Sequence, residues 1–242
     1  MNILEYICLD NENKFRSKTI FTQNSINELE PIIVSSSMID NVVVETHDLV
    51  LIPVKCVKNP LIRDDKHWLV LCEIRNPNGT IHKINKRDIL CEFVKNKNDL
   101  LLGVKQQFVL FDKATQAPIG WKNNIDVMKN YSSKLEYMIH SQDIIDTIIE
   151  NLLYVGISIK SIDMERMVSR WSITFDQKSV LDSCDELFIF RYLMYRICSN
   201  NNVLVSFNPN PVESCDIYSL CHLYFSSGEM REPNGIERIV AA

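Results

Sequence analysis

The chain has 242 residues, of which 46% are hydrophobic and 24% are charged, and its formal net charge at pH 7 is −5. This length can bury one large core or two modest ones. The acidic balance argues against nucleic acid or an anionic membrane surface as the main partner. The apolar runs are far shorter than the ~20 residues of a membrane-spanning helix, and the N-terminal residues lack the basic stretch of a signal peptide. The sequence therefore predicts a cytoplasmic globular protein that binds neither nucleic acid nor membrane.

The eight cysteines form no CxxC pair. Several lie within apolar runs, where a free thiol behaves as a small hydrophobe, so reduced cysteines are predicted. Cys215, Cys221 and His222 could be combined into a zinc site, but their spacing is not that of a finger or ribbon and no fourth ligand is evident. No metal site is predicted from this group.

Residues 1–85 alternate short β-prone runs with polar or proline-containing segments, which predicts a strand-rich domain. The predicted strands are residues 5–9, 17–21, 49–54 and 68–75. The run Asn76-Pro77-Asn78-Gly79 is a strong turn signal. Residues 68–75 and 80–83 are therefore predicted to form a hairpin.

The rest of the chain mixes helical and strand patterns. Asn85 is predicted to cap a helix that runs to about residue 95. Apolar residues recur at helical spacing along 142–155, which predicts a second helix. Ser183, followed three residues later by Glu186, has the pattern of a capping box and predicts the start of a third. The segment 101–110, LLGVKQQFVL, reads as a strand.

Lys105 and Gln107 are the most informative residues of that strand. Residues i and i+2 of a strand project from the same face, so two carboxylates at these positions could hold hard divalent cations together. A lysine and an amide cannot. The segment resembles the strand of glutamine synthetase that reads G-(apolar)-E-Q-E-(aromatic), with both glutamates replaced.

The resemblance to glutamine synthetase, in its eukaryotic type II form, covers nearly the whole chain. Short similar segments follow one another in family order: DLVLIP at 48–53, WLVLCEI at 68–74, the strand at 101–110, FNPNP at 207–211, Cys221-His222 and FSS at 225–227. The resemblance implies an α+β fold with a β-grasp domain at 1–85. It also implies an incomplete, C-terminally truncated catalytic domain at 86–242, built on a curved antiparallel sheet with helices.

The resemblance also implies that a metal site of the family is altered in this chain. The family phosphorylates the γ-carboxylate of glutamate with ATP, displaces the phosphate with ammonia, and holds divalent ions with glutamates and a histidine. Glu165 and His222 match two of those ligands, whereas Lys105, Gln107 and Ser172 stand in place of others. These replacements add as much positive charge as two divalent cations carry, so Lys105 beside Glu165 could replace a metal structurally. The alternative is ordinary drift, with Glu165 and His222 kept as satisfied polar groups.

Other positions that the family uses differ as well. Ser35 stands where the resemblance places an acidic residue that helps to deprotonate ammonium, and a serine cannot act as that base. Residues 217–220 replace a glycine-rich run that contacts glutamate in the family. Ser226 and Arg231 match nucleotide-contacting positions.

These changes predict a catalytically inactive relative of glutamine synthetase, without cofactor or metal, that is not an enzyme. Its expected role is binding or structural, through self-association or a protein partner such as an intact glutamine synthetase. The alternative is residual ATP-dependent glutamate–ammonia ligase or nucleotide-binding activity with Mg²⁺ or Mn²⁺, completed by a partner subunit.

Overall fold

The computed structural model describes residues 1–40, 46–121, 129–212 and 218–241. It divides the chain into two compact units, Met1–Asn98 and Asp99–Ala242. The predicted domain boundary at residue 85 stays a prediction. None of the helices within the described ranges is long and apolar enough to cross a membrane.

The first unit is built on one five-stranded sheet in the order β2-β1-β5-β4-β3. The parallel pair β1 and β5 lies at its centre, and the other neighbours are antiparallel. This mixed sheet gives the β-grasp-like first part of the predicted α+β fold, which is confirmed. The elements are β1 (Asn2–Leu9), β2 (Phe15–Thr22), β3 (Ile32–Ser35), a short 3₁₀ helix (Ser36–Met38), β4 (Asp48–Lys58), β5 (His67–Arg75) and α1 (Arg87–Val94).

Alternation along the strands explains this sheet. Leu4, Tyr6 and Cys8 of β1 are buried in one apolar cluster with Leu49 and Leu51 of β4, because alternate residues of a strand face the same side. The four predicted strands of this region are confirmed with slightly wider bounds, whereas β3 has no counterpart among them.

The predicted hairpin after β5 forms only in part. The turn is present, since the backbone N of Asn76 donates to the carbonyl of Thr80 at 2.9 Å and Gly79 has φ +81°. The second strand shrinks to one bridge between Arg75 and Ile81, because the chain turns again where the backbone N of Asn85 bonds the carbonyl of residue 82. Helix α1 then begins at Arg87, and the Asn85 side chain accepts from the Arg87 backbone N at 3.2 Å.

The second unit contains a six-stranded sheet in which every pairing is antiparallel. The long strand β6 is central and pairs with four others, namely β8, β9, β10 and β11. This confirms the predicted antiparallel sheet of the catalytic domain. The strands are β6 (Leu101–Asp112), β7 (Ile159–Met164), β8 (Arg170–Phe175), β9 (Lys178–Ser179), β10 (Val203–Ser206) and β11 (Cys221–Ser226).

Among the described residues of this unit there are also four helices and a short 3₁₀ helix: α2 (Leu135–Met138), α3 (Gln142–Val155), α4 (Val180–Asn200), the 3₁₀ helix (Glu229–Arg231) and α5 (Gly235–Ala241). The prediction for α3 is confirmed. The capping box at Ser183 is wrong, because α4 begins three residues earlier and Ser179 caps it by accepting from the Asp182 backbone N. The buried Ser183 hydroxyl instead donates to the Leu102 carbonyl at 2.7 Å.

Helices α3 and α4 cover one face of this sheet. Phe108 of β6 packs on Phe190 of α4 with ring centroids 6.4 Å apart, and the Trp171 indole of β8 donates to the Ser141 hydroxyl, next to α3, at 3.0 Å. Since successive strand residues face opposite sides, Lys105 and Gln107 project from the face opposite Phe108. The candidate site lies on that second face.

Candidate functional site

The strand register brings the predicted site positions of the second unit together. Gln107 of β6 lies opposite Ser172 of β8, and Lys105 lies opposite His222 of β11 on the other side. Glu165 directly follows β7, and its backbone N bonds the carbonyl at the start of β8 at 2.7 Å. Residues that are more than a hundred positions apart in the chain therefore share one site.

An ion pair stands at the centre of this site. Lys105 Nζ lies 2.9 Å from Glu165 Oε1, and the two side chains are only 26% and 18% exposed. The guanidinium of Arg170 lies 3.9 Å from the other carboxylate oxygen. Glu165 is thus a half-buried carboxylate between two cationic side chains.

The net pKa of Glu165 is lowered from its ordinary value. Burial alone would raise this pKa, but the Lys105 ammonium, the Ser172 hydroxyl and the Gln107 amide together outweigh burial by stabilising the charged carboxylate. The carboxylate is therefore ionised at neutral pH. Its negative charge is neutralised by a side chain of the same chain.

Gln107 holds a neighbouring backbone segment through two hydrogen bonds. Its side-chain oxygen accepts from the Leu220 backbone N at 2.9 Å, and its own backbone N donates to the Leu220 carbonyl at 2.9 Å. These bonds fix the segment that leads into β11. Ser172, opposite Gln107 on β8, is fully buried. Neither position offers a free carboxylate oxygen to a cation.

The donor set does not fit a divalent ion held by protein side chains alone. Within the described ranges no three His, Cys, Asp or Glu side chains come close enough to hold a metal ion. Glu165 is engaged by Lys105, and the His222 ring stacks on Tyr224 with centroids 6.5 Å apart. Cys215, of the rejected zinc group, lies outside the described residues.

The two predicted nucleotide-contacting residues meet at the end of β11. Arg231 Nη1 donates to both the carbonyl and the hydroxyl of Ser226 at 2.9 Å, while its Nη2 donates to the Asp99 carbonyl at 2.6 Å. The Asp99 carboxylate accepts from the Gly228 backbone N at 2.6 Å. Sequence reasoning missed Asp99, because nothing in the local pattern before β6 indicates a partner more than a hundred residues later.

Ser35 lies in the first unit and has a local structural role. Its hydroxyl accepts from the Ser37 backbone N at 3.3 Å and lies 2.8 Å from the Ser37 hydroxyl, so it caps the short 3₁₀ helix. Of the segment that replaces the family's glycine-rich run, Ile217 lies outside the described residues and Tyr218 is exposed.

A second polar group lies on the helix-covered face and was also missed. Arg191 of α4 bonds the side-chain oxygen of Gln106 through both Nε and Nη2, and its guanidinium lies 5.4 Å from the centre of the Phe207 ring. Because Gln106 is buried, this contact links α4 to β6. An arginine within an otherwise apolar helix stripe was the only signal for it.

The comparisons with known proteins identify the family. A family model described as "Glutamine synthetase, catalytic domain" matches residues 87–234. The chain is 28% identical over 248 residues to a glutamine synthetase of Yarrowia lipolytica, which covers 99% of this chain and 68% of the relative. It is 29% identical to the glutamine synthetase of Eremothecium gossypii, covering 99% and 67%. The chain therefore belongs to the glutamine synthetase family, and the resemblance is confirmed.

A solved structure has a similar fold. It is described as "GmaS/ADP complex-Conformation 1", and it matches with a TM-score of 0.74 at 14% identity. The match covers 94% of this chain and 54% of that chain. The present chain thus spans about two thirds of the fungal relatives' length and about half of the solved chain's.

These comparisons correct two predictions. The prediction that the protein is not an enzyme is contradicted, because its relatives bear the name of an enzyme. The prediction of no cofactor is contradicted as well, because the relatives belong to a family of nucleotide- and metal-dependent enzymes and the solved neighbour is an ADP complex. Both predictions were wrong because they took the replacement of a few side chains as evidence that the whole site had lost its ligands and its activity. Backbone groups, helix ends and basic side chains also bind nucleotides.

Proposed function

We propose that the protein binds an adenine nucleotide together with a divalent ion and has ATP-dependent glutamate–ammonia ligase activity, with a second subunit completing the site. The observation that carries this proposal is the arrangement along β11. His222 near its start pairs with Lys105, and Ser226 at its end pairs with Leu101 and bonds Arg231. Strand β11 thus connects the ion-pair site of Lys105 with the hydrogen-bonded pair of Ser226 and Arg231.

The spacing along β11 supports a nucleotide. His222 and Ser226 are four residues apart and so face the same side of the strand, at a separation of about 13 Å. This distance is comparable to the length of an extended nucleoside triphosphate. The Arg231 guanidinium suits phosphate, because its fixed donors match phosphate oxygens.

The side chains of Lys105 and Arg170 supply positive charge of the kind that phosphoryl transfer needs. The reaction develops negative charge on the transferred group, and its catalysis is mainly positioning and charge stabilisation. The Lys105 ammonium and the Arg170 guanidinium are fixed positive charges within 4 Å of one carboxylate. Because the protein holds these charges in place, they act without the solvent reorganisation that a mobile ion would need.

Nucleotide binding is tested by thermal unfolding of the whole chain with ATP and ADP, each with Mg²⁺ or Mn²⁺. A nucleotide at a hundredfold its Kd adds ~2.7 kcal/mol to the stability of the folded state, so the melting temperature should rise. Arg231→Ala should reduce this shift. Arg238→Ala is the matched control, because Arg238 is also exposed and forms a local ion pair with Glu232 at 2.9 Å. No shift with any nucleotide would contradict the proposal.

Ligase activity is tested by formation of glutamine, or by γ-glutamyl transfer, with the wild-type chain and with Lys105→Ala. Activity should depend on ATP, and the Lys105 variant should be slower. Equal rates for the wild type and the variant would remove the role given to this ammonium.

We also propose that the protein self-associates through β11. Leu223, Tyr224 and Phe225 are exposed apolar residues on this strand, and within the described ranges β11 pairs with β6 alone. An exposed apolar edge strand is a template for pairing with another chain. Leu223→Lys should lower the oligomeric mass in light scattering. Ile89→Lys, at a similarly exposed apolar site on α1, should leave it unchanged.

A cytosolic location is part of the same proposal. It is supported by a relative from Pinus sylvestris named "Glutamine synthetase cytosolic isozyme", which is 29% identical over 81% of this chain and 56% of the relative. The free cysteines among the described residues also agree with a reducing compartment.

A further inference from the structure

We infer that Lys105 is a built-in cation that occupies Glu165, so that this carboxylate is not a divalent-ion ligand in the present chain. The donor set around Glu165 does not fit a metal ion, whereas it fits an ammonium group. This inference deepens the proposed function and rests on it, because it specifies the charge partner of the same sheet face.

The contacts around Glu165 carry the inference. One oxygen is 2.9 Å from the Lys105 ammonium and the other is 3.9 Å from the Arg170 guanidinium. A divalent ion placed on either oxygen would stand within a few Å of a like charge. Electrostatic repulsion at that distance is strong in a half-buried site.

Gln107 and Ser172, the neighbouring positions on β6 and β8, supply no carboxylate. Asp163 lies opposite Ser172 on β7, but within the described ranges no three His, Cys, Asp or Glu side chains come close enough to hold a metal ion. Gln107 uses its side-chain oxygen to hold the Leu220 backbone N at 2.9 Å, and Ser172 offers a neutral hydroxyl. Divalent ions such as Mg²⁺ need several oxygen ligands at once, usually carboxylates together with substrate phosphates. Any divalent ion of this site therefore depends on the nucleotide rather than on Glu165.

The test compares Mn²⁺ binding to the nucleotide-free chain by titration calorimetry and by the electron spin resonance signal of free Mn²⁺. Lys105→Glu places a third donor beside Glu165 and His222, since residue 105 pairs in register with His222. We expect this variant to bind Mn²⁺ on the order of tenfold more tightly than the wild type, because affinity follows the number of charged ligands.

A matched control exists in the same unit. Lys178 pairs with Glu186 at 2.8 Å, and these side chains are 28% and 12% exposed, close to the values for Lys105 and Glu165. Residue 178 pairs in register with Leu102 rather than with a histidine. Lys178→Glu makes the same change of charge, and we expect it to bind Mn²⁺ no more tightly than the wild type.

Other variants keep the test decisive if Lys105→Glu does not fold. Lys105→Met removes the ammonium and keeps the apolar stem, so Mn²⁺ should raise its melting temperature more than that of the wild type. An equal response of both proteins would overturn the inference. So would tight, stoichiometric Mn²⁺ binding to the wild type that Glu165→Gln abolishes.

The nucleotide shift is measured on the same wild-type samples. If ATP and ADP give no shift while the Mn²⁺ pattern of the variants is as expected, the proposed function fails alone. If nucleotides give a shift but Lys105→Glu and Lys105→Met bind Mn²⁺ as the wild type does, this inference fails alone.

Discussion

Removing the Lys105 ammonium should destabilise the protein at neutral pH. Lys105→Met leaves Glu165 half-buried, with the more distant Arg170 guanidinium, 3.9 Å away, as its cationic neighbour and with the neutral Ser172 and Gln107 groups still beside it. Breaking a fully buried pair costs ~3–5 kcal/mol, whereas exposed pairs contribute ~0–1 kcal/mol. With side chains 26% and 18% exposed, the present pair lies between these limits. We expect a loss of ~2 kcal/mol in the free energy of unfolding.

The pH dependence fixes the sign of this effect. In the folded wild type the Glu165 pKa lies below its ordinary value of 4.5, so the ionised carboxylate contributes stability above about pH 4.5. That contribution is lost as the pH falls through the lower, folded-state pKa. In Lys105→Met burial acts without the ammonium and favours the protonated form. The difference between wild type and variant should therefore be largest near pH 7 and shrink toward pH 4.

The assay is urea unfolding at pH 7, 5 and 4, followed by the fluorescence of the three tryptophans, of which Trp171 is buried in the second unit, and by circular dichroism. A double-mutant cycle with Glu165→Gln measures the coupling of the pair, which we expect to be ~1–2 kcal/mol at pH 7. Lys178→Met is the control for loss of a lysine from a similar pair. A coupling below ~0.5 kcal/mol, or a difference that does not change with pH, would refute the reasoning.

Four further substitutions test the fold of the second unit by urea unfolding. Phe190→Ala should cost ~3–5 kcal/mol, because the ring is fully buried among other aromatic rings, and a loss below ~1 kcal/mol would contradict this packing. Ser183→Ala should cost ~1–3 kcal/mol by leaving a buried strand carbonyl without its donor, whereas Ser179→Ala should cost ~1 kcal/mol as a lost helix cap. Gly120→Ala should cost ~1–3 kcal/mol, since φ is +79° and the added carbon would lie 2.9 Å from the His140 ring; an unchanged midpoint would contradict it.

Local sequence patterns predicted the helices and strands whose buried residues recur at one regular spacing. Helix α3 carries apolar residues at helical spacing, and Ile144, Ile145, Ile148 and Leu152 are all buried. The strand rule placed Lys105 and Gln107 on one face, and the register agrees. In these cases a single period relates each residue to the core.

Elements that depend on distant partners could not be predicted in this way. Ser183 has the pattern of a cap, but a strand carbonyl 81 residues away takes its hydroxyl, and the capping position moves to Ser179. The bond between Arg191 and Gln106 joins residues 85 positions apart. Local propensity carries no information on such pairs, because the fold alone brings them together.

The positions of the site were easier to predict than its chemistry, and for a physical reason. Strand period and register decide which side chains share a face, and neither changes when Glu is replaced by Lys or Gln. What the site binds depends on the sum of its charges and donors, including groups such as Asp99, just before β6, and Arg231, in the 3₁₀ helix that follows β11. Lys105 therefore indicates a different source of positive charge at Glu165. A lost metal ligand and a lost reaction are therefore separate inferences, because the first concerns one carboxylate and the second concerns the whole set of charges and donors.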